Sequence, residues 1–160
     1  MATNTELLTA VTEFIWKEAD FLDHKNYQEW LTLWSNSGLY IVPTDLNETD
    51  YLNTLNLALD DADMRRMRVS RLENGESVSA DSVGYTVRMM SRVRILESTS
   101  DMITVRCAMT LNELRHGKLV TYPGNVEYQL VPADGGFLIE RKVVKLLHAE
   151  GFLRTVSFIF

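Results

Sequence analysis

The feature that most constrains this chain is a change of hydrophobic period partway along it. Apolar residues recur every three or four positions as far as Leu72, and every second position from Tyr85 onward. The first spacing suits one face of a helix and the second one face of a strand, so helices come first and a long antiparallel meander comes last, an α+β order.

In the first part Leu8, Val11, Ile15, Ala19 and Leu22 form the stripe of an amphipathic helix running from Glu6 to about Leu22. Thr3 and Glu6 have the spacing of a capping box, and Asn26 and Glu29 repeat it before Tyr27, Trp30, Leu31 and Trp34, predicting a shorter second helix. Gly38 to Pro43 reads as a short strand and Asp45 to Asp50 as polar loop. Asp60, Asp61 and Asp63 place negative charge at the start of a third helix, which Met64, Met67, Arg68 and Leu72 carry on to Asn74-Gly75.

In the second part Tyr85, Val87, Met89, Val93 and Ile95 are expected to share one face of a long strand, and Ile103, Val105, Cys107, Met109 and Leu111 one face of the next. Turns at Ser98 to Asp101, Arg115 to Lys118 and Ala133 to Gly136 separate these from strands at Leu119 to Val131 and Phe137 to Leu147. The closing GFLRTVSFIF is apolar enough for a last strand or a docked tail. Helices covering one face of a strongly curved sheet would make a cone with room for a pocket. The 160 residues, 46% hydrophobic, suit a single domain over residues 1–160.

Composition removes several classes of function. The single cysteine, Cys107, allows no disulfide within the chain and supplies neither a thiolate zinc site nor an iron–sulfur cluster, which fits a reducing, cytoplasmic setting. The first residues show no basic stretch ahead of an apolar run, and no apolar run approaches the ~20 residues that span a bilayer, so neither export nor a membrane is expected. A net charge of -6 speaks against nucleic acid. The charge is uneven: residues 1–63 carry 12 acids against Lys17 and Lys25, and the remainder 14 bases against 10 acids. That asymmetry suits self-association, an oppositely charged partner or internal ion pairs.

The chemical inventory is sparse. His24, His116 and His148 lack metal-ligand spacing, no nucleophile elbow or phosphate-binding glycine motif is present, and Cys107 belongs to an apolar strand face. The acids of Asp60 to Asp63 beside Arg65, Arg66 and Arg68 read first as helix-end and ion-pair chemistry. Arg88, Arg92 and Arg94 are expected to form a basic stripe on the side of their strand opposite Val87 and Met89, suited to an anionic partner surface or to solvent. Trp16, Trp30, Trp34, Tyr27 and Tyr40 read as core aromatics or interface anchors.

These residues carry a family likeness. EFIWKEADFLDHKNYQEWLTLWSNSGLYIVP, from Glu13 to Pro43, resembles the opening of the small (β) subunits of aromatic-ring-hydroxylating dioxygenases, with an E-A-x-x-L-D stretch, an E-W-L-x-L stretch and a Y-x-x-P strand in order. Asp63 to Leu72, Phe137 to Val144 and the closing Ser157-Phe-Ile-Phe160 resemble later blocks of that family, while Ser79-Ala80-Asp81 stands where members often carry a proline-serine pair. The resemblance implies a cystatin-like or NTF2-like α+β cone and an α3β3 assembly. It implies a structural role for this chain, with no catalytic, metal or cofactor residues of its own, the Rieske [2Fe-2S] cluster and mononuclear iron belonging to the large α subunit. Candidate subunit contacts are Arg88, Arg92, Arg94, Phe158 and Phe160. A competing reading is a stand-alone isomerase or dehydratase of the same fold. There the base would precede the strand-closing proline; Val42 holds that position here, which leaves Asp45 or Asp60 as the acid–base candidates. A third is an interaction module that binds a protein partner through its sheet.

Overall fold

The computed structural model describes residues 4–74, 84–148 and 159–160. Helix α1 (Asn4–Asp23) buries Val11, Ile15, Ala19 and Leu22 as its stripe predicts, and it places Glu18 among them. Leu8 is exposed, and Thr3 lies outside the described residues. The helix stops because Lys25 takes a left-handed φ of 58°, which lets the Asn26 amide donate back to the Phe21 carbonyl at 2.8 Å. Helix α2 (Tyr27–Leu31) follows at once, but the Asn26 side chain makes no capping hydrogen bond.

Strand β1 (Trp34–Pro43) starts four residues before the expected Gly38, and its neighbour β2 (Asn56–Asp60) is a strand that the sequence did not announce. Five residues with one Leu-Ala-Leu core are too short for periodicity to register; pairing with β1, Tyr40 opposite Asp60 and Val42 opposite Ala58, is what makes them a strand. Asp60 therefore ends a strand. Helix α3 (Ala62–Asn74) begins after it, capped by Asp61, whose carboxylate accepts the Met64 amide at 2.9 Å.

The meander follows as β3 (Tyr85–Ser98), β4 (Ile103–Arg115), β5 (Lys118–Ala133) and β6 (Gly136–Leu146). His116-Gly117 and Asp134-Gly135 both have positive φ at the two central positions, the geometry that lets a two-residue turn follow the right-handed twist of its strands. The six strands lie in the order β2-β1-β6-β5-β4-β3, with β1 and β6 parallel and every other pair antiparallel. Helix α1 rests on β3 and reaches β6, α3 lies against β1 and β2, and α2 links the other two helices. This is an α+β fold with helices on one face of a curved sheet. The core between them includes Trp30, Tyr40, Tyr128, Leu111, Leu130 and Ile139, all buried.

Strand β3 departs from its expected pattern. Ser91 pairs with Ala108 and Arg94 with Arg106, so Arg92 and Val93 together face Cys107, and Arg92 has a φ of 52°. This β-bulge shifts the alternation by one residue. Tyr85, Val87 and Met89 consequently point outward and are exposed, while Val93 and Ile95 pack on the core.

Candidate functional site

The bulge also divides the three arginines. Arg88 lies on the inner face with 4% of its side chain exposed, paired with Asp23 of α1, and its Nη2 donates to the carbonyl of Ile159. Arg92 and Arg94 are on the outer face, where Arg92 Nη2 donates to Asn125 Oδ1 at 2.9 Å. A single stripe of Arg88, Arg92 and Arg94 is therefore not formed, because the extra residue at the bulge inverts the faces beyond it. Phe160 is likewise interior at 1% exposure, and Phe158 lies outside the described residues.

Interior polar groups form a network centred on Glu18 and Lys142. Lys142 on β6 donates to both carboxylate oxygens of Glu18, at 3.0 and 2.9 Å, and to the Phe160 carbonyl at 2.9 Å. Glu18 also accepts from Tyr128 Oη at 2.7 Å and Trp30 Nε1 at 2.9 Å. The Phe160 amide donates to Tyr40 Oη at 2.9 Å, and its ring meets Tyr122 edge-on, centroids 5.7 Å apart. Burial lowers the Lys142 pKa against the pull of Glu18, pushes Tyr40 up to about 12 and raises Tyr128 well above the ordinary phenol value. Burial also pushes the Cys107 thiol up to about 12, so it stays a protonated, inert side chain near neutral pH.

A second cluster fixes α3 to the sheet. Asp60, 1% exposed, accepts two hydrogen bonds from Arg68 at 2.6 and 3.0 Å. Arg65 donates to the Gly38 carbonyl and stacks 4.2 Å from the Trp34 ring centroid, and burial lowers its pKa to about 10. Asp45 sits on an exposed loop and caps the Asn47 amide at 2.8 Å. The two aspartates are thus not brought together, and neither is a free base inside the cone.

Among the described residues no group of three or more His, Cys, Asp or Glu side chains is placed to hold a metal ion. No described helix is long and apolar enough to cross a membrane. On the outer face, Tyr85, Leu114 and Leu119 lie side by side across β3, β4 and β5, all exposed, with Val87 and Met89 beyond them on β3. Arg94 stands directly opposite Arg106, both exposed, and neither has an acidic partner within 4.0 Å among the described residues. Trp16 is half exposed on α1, above a shallow groove shaped by Glu13, Phe14, Lys17 and Asp20.

Sequence reasoning passed over Glu18, Lys142 and Glu113. The signal was there: each is a charged residue at a position where the local period demands an apolar one.

Comparison with known proteins agrees with this architecture. Residues 17–150 match the family described as ring hydroxylating beta subunit. The chain is 31% identical over 134 residues to the small oxygenase component of the p-cumate 2,3-dioxygenase system of Pseudomonas putida, covering 82% of this chain and 74% of that one. It is 24% identical to the small subunit of anthranilate 1,2-dioxygenase from Acinetobacter baylyi, over 89% of this chain and 91% of that one. The crystal structure of the beta subunit of benzoate 1,2-dioxygenase from Burkholderia mallei superposes with a TM-score of 0.78 at 19% identity, covering 99% of both chains. From the extent of the family match and the identity to the first of these relatives, the chain belongs to the ring-hydroxylating beta subunits, the small oxygenase subunits of aromatic-ring dioxygenases.

Proposed function

We propose that this chain is the non-catalytic structural subunit of an α3β3 aromatic-ring dioxygenase in the cytoplasm. In this reading the large subunit carries a Rieske [2Fe-2S] cluster and a mononuclear iron, and this chain holds the assembly together. The observation that carries the reading is the pairing of the inward-facing acids of α1 and β2. Glu18, Asp23 and Asp60 are each locked in an ion pair with Lys142, Arg88 and Arg68, so a general base free to take a proton is missing from those positions.

The contact surface in this reading is the outer face of β3 to β5. An exposed apolar row beside two adjacent arginines without acidic partners among the described residues is costly on a free surface and suits a partner that brings apolar side chains and carboxylates. Arg92 and Arg94 keep their place in it; Arg88 and Phe160, being interior, act through the fold.

Mild purification of the tagged chain from cells that express its neighbouring genes tests the proposal. The expected result is a larger co-eluting chain with a visible iron–sulfur spectrum and iron by assay. A colourless chain eluting alone that turns over a small substrate would overturn it in favour of a stand-alone isomerase or dehydratase.

A further inference from the structure

The uneven charge of the sequence is only partly absorbed inside the fold. The pairs Glu18–Lys142, Asp23–Arg88 and Asp60–Arg68 join acids of residues 1–63 to bases of the remainder. Two surface features of opposite sign stay outside that pairing. The basic one is the tip of the hairpin from β4 to β5, where Arg115 and Lys118 stand directly opposite each other around the His116-Gly117 turn. Like charges so placed repel, and neither has an acidic partner within 4.0 Å among the described residues. The tight turn holds them rigidly, which lowers the ordering cost of a contact made there.

The acidic feature is the groove on α1, about 520 Å³, shaped by Glu13, Phe14, Trp16, Lys17 and Asp20. Trp16 is 50% exposed, whereas Trp30 and Trp34 are buried in the core. Glu13 and Asp20 lie one helical turn to either side of it, so the indole has a carboxylate at each end. Lys17 Nζ is engaged over the Phe21 ring, 5.7 Å from its centroid. Glu13 has no cationic partner within 4.0 Å among the described residues, and Asp20 has the exposed His24 imidazole at 3.2 Å. An exposed indole face between two carboxylates is a receptor for a guanidinium or an ammonium group.

We propose that these features are the two sides of one contact: the tip carrying Arg115 and Lys118 on one copy of this chain seats in the groove of Glu13, Trp16 and Asp20 on a second copy. Within one chain the two are too far apart to meet. Phe14, which shapes the groove, packs on Phe137, the cross-strand partner of Pro132. Lys118 lies at the other end of β5, about 45 Å along the strand at ~3.3 Å per residue. Because the two surfaces differ, the contact runs head to tail from copy to copy, and a closed ring satisfies every tip and every groove. The proposal deepens the assembly proposed above by naming a contact between its small subunits, and it rests on that reading for their number, three.

Sedimentation of the full chain over a range of concentrations, at low and high salt, tests the contact through charge reversals. The parent is expected to self-associate, and its tryptophan emission to move to shorter wavelength as it does, a change lost in Trp16→Phe. Arg115→Glu with Lys118→Glu, and separately Glu13→Lys with Asp20→Lys, are each expected to weaken self-association about tenfold or more at low salt, with urea midpoints near that of the parent. A chain carrying all four reversals should associate again, because its acidic tip meets a basic groove. A parent that stays monomeric at millimolar concentration would overturn the proposal. So would reversals that leave association unchanged, or a folded fourfold variant that stays monomeric. Should a reversed chain not fold, Arg115→Gln with Lys118→Gln and Glu13→Gln with Asp20→Asn take its place, with the same loss expected. The result is separable from the subunit reading. Self-association without capture of a larger iron-bearing chain supports the contact and overturns that reading, and capture of such a chain by a monomeric parent does the reverse.

Discussion

Glu18 on α1 and Lys142 on β6 lie 124 positions apart in sequence and meet as an ion pair with side chains 2% and 1% exposed. Every atom of that pair able to hydrogen-bond is engaged, with Tyr128 and Trp30 on the acid and Phe160 on the amine. Removing one member leaves its partner's charge buried without compensation. Lys142→Met is therefore expected to lower the unfolding free energy by about 3–5 kcal/mol. Glu18→Gln should cost a comparable amount, and the double variant less than the two single costs added, because the second change removes the charge that the first stranded. Urea denaturation of the four proteins checks this, and strict additivity would show the pair uncoupled.

Cys107 gives the fold a dependence on alkaline pH. Its folded-state pKa is raised from 9.0 to about 12, so the folded thiol keeps a proton that the unfolded thiol gives up. This stability is complete below pH 9 and is lost as pH rises toward 12, at up to about 1.4 kcal/mol per pH unit. Tyr40, raised from 10.0 to about 12, adds a loss of the same sign above pH 10, while the lowered Lys142 works in the opposite sense below 10.5. Cys107→Ala should flatten the decline of stability between pH 9 and 10, where the tyrosine contributes little. An unchanged slope across that interval would remove Cys107 from the account.

The long strands and their turns were legible because each rests on a local rule: alternation for the strands, and a residue-glycine pair at positive φ for the two tight turns. The facing of β3 was not, since one bulged residue at Arg92 inverts everything beyond it and leaves no mark in the alternation. The same limit applies to the interior network. Glu18 falls between Ile15 and Ala19 on a buried stripe, and Lys142 just before Val143 and Val144, yet only the tertiary fold brings them together. Asp60 was assigned to a helix start because three acids in four residues look like dipole chemistry; pairing with β1 makes it a strand residue and Arg68 makes it a salt bridge.

Gly38 is fixed by how closely β1 approaches β6. A methyl group there would lie 2.7 Å from the Ile139 carbonyl oxygen and 2.9 Å from Trp34 Cε3, and the first of these is backbone that cannot swing aside. Gly38→Ala is expected to destabilise by about 2–3 kcal/mol through overpacking. Because the Gly38 carbonyl accepts from Arg65, the change should also disturb the stacking of that guanidinium on Trp34. A shift in tryptophan emission alongside the lowered urea midpoint would report both, and an unchanged midpoint would refute the steric account.

Arg92 occupies a left-handed conformation at the bulge with φ of 52°, and its described side-chain contact is one exposed hydrogen bond to Asn125. A residue with a Cβ pays roughly 1 kcal/mol to stay there, whereas glycine does not. Arg92→Gly should therefore be neutral to mildly stabilising, and Arg92→Val destabilising by about 1–2 kcal/mol. Thermal melts of the two variants separate the cases. Equal melting temperatures would mean that the bulge relaxes freely.

The outer face makes a separate prediction, because Arg94 and Arg106 have no acidic partner within 4.0 Å among the described residues. Arg94 and Arg106 face each other across β3 and β4, and Glu127, opposite Arg106 on β5, is taken by Lys145 at 3.2 Å. Two like charges at cross-strand distance repel, so replacing both by glutamine should leave stability unchanged or raised by about 0.5 kcal/mol. If the large subunit supplies acids to this pair, the same variant should bind it about tenfold or more weakly, and the loss should shrink as salt is raised and screens the parent interface. Val87→Asn, placed in the exposed apolar row, should weaken the complex with little dependence on salt. Sedimentation of the reconstituted complex at low and high ionic strength, beside urea midpoints of the isolated chains, distinguishes these effects. Intact assembly for both variants would move the subunit contact away from this face, leaving the half-exposed Trp16 on α1 as the next position to replace.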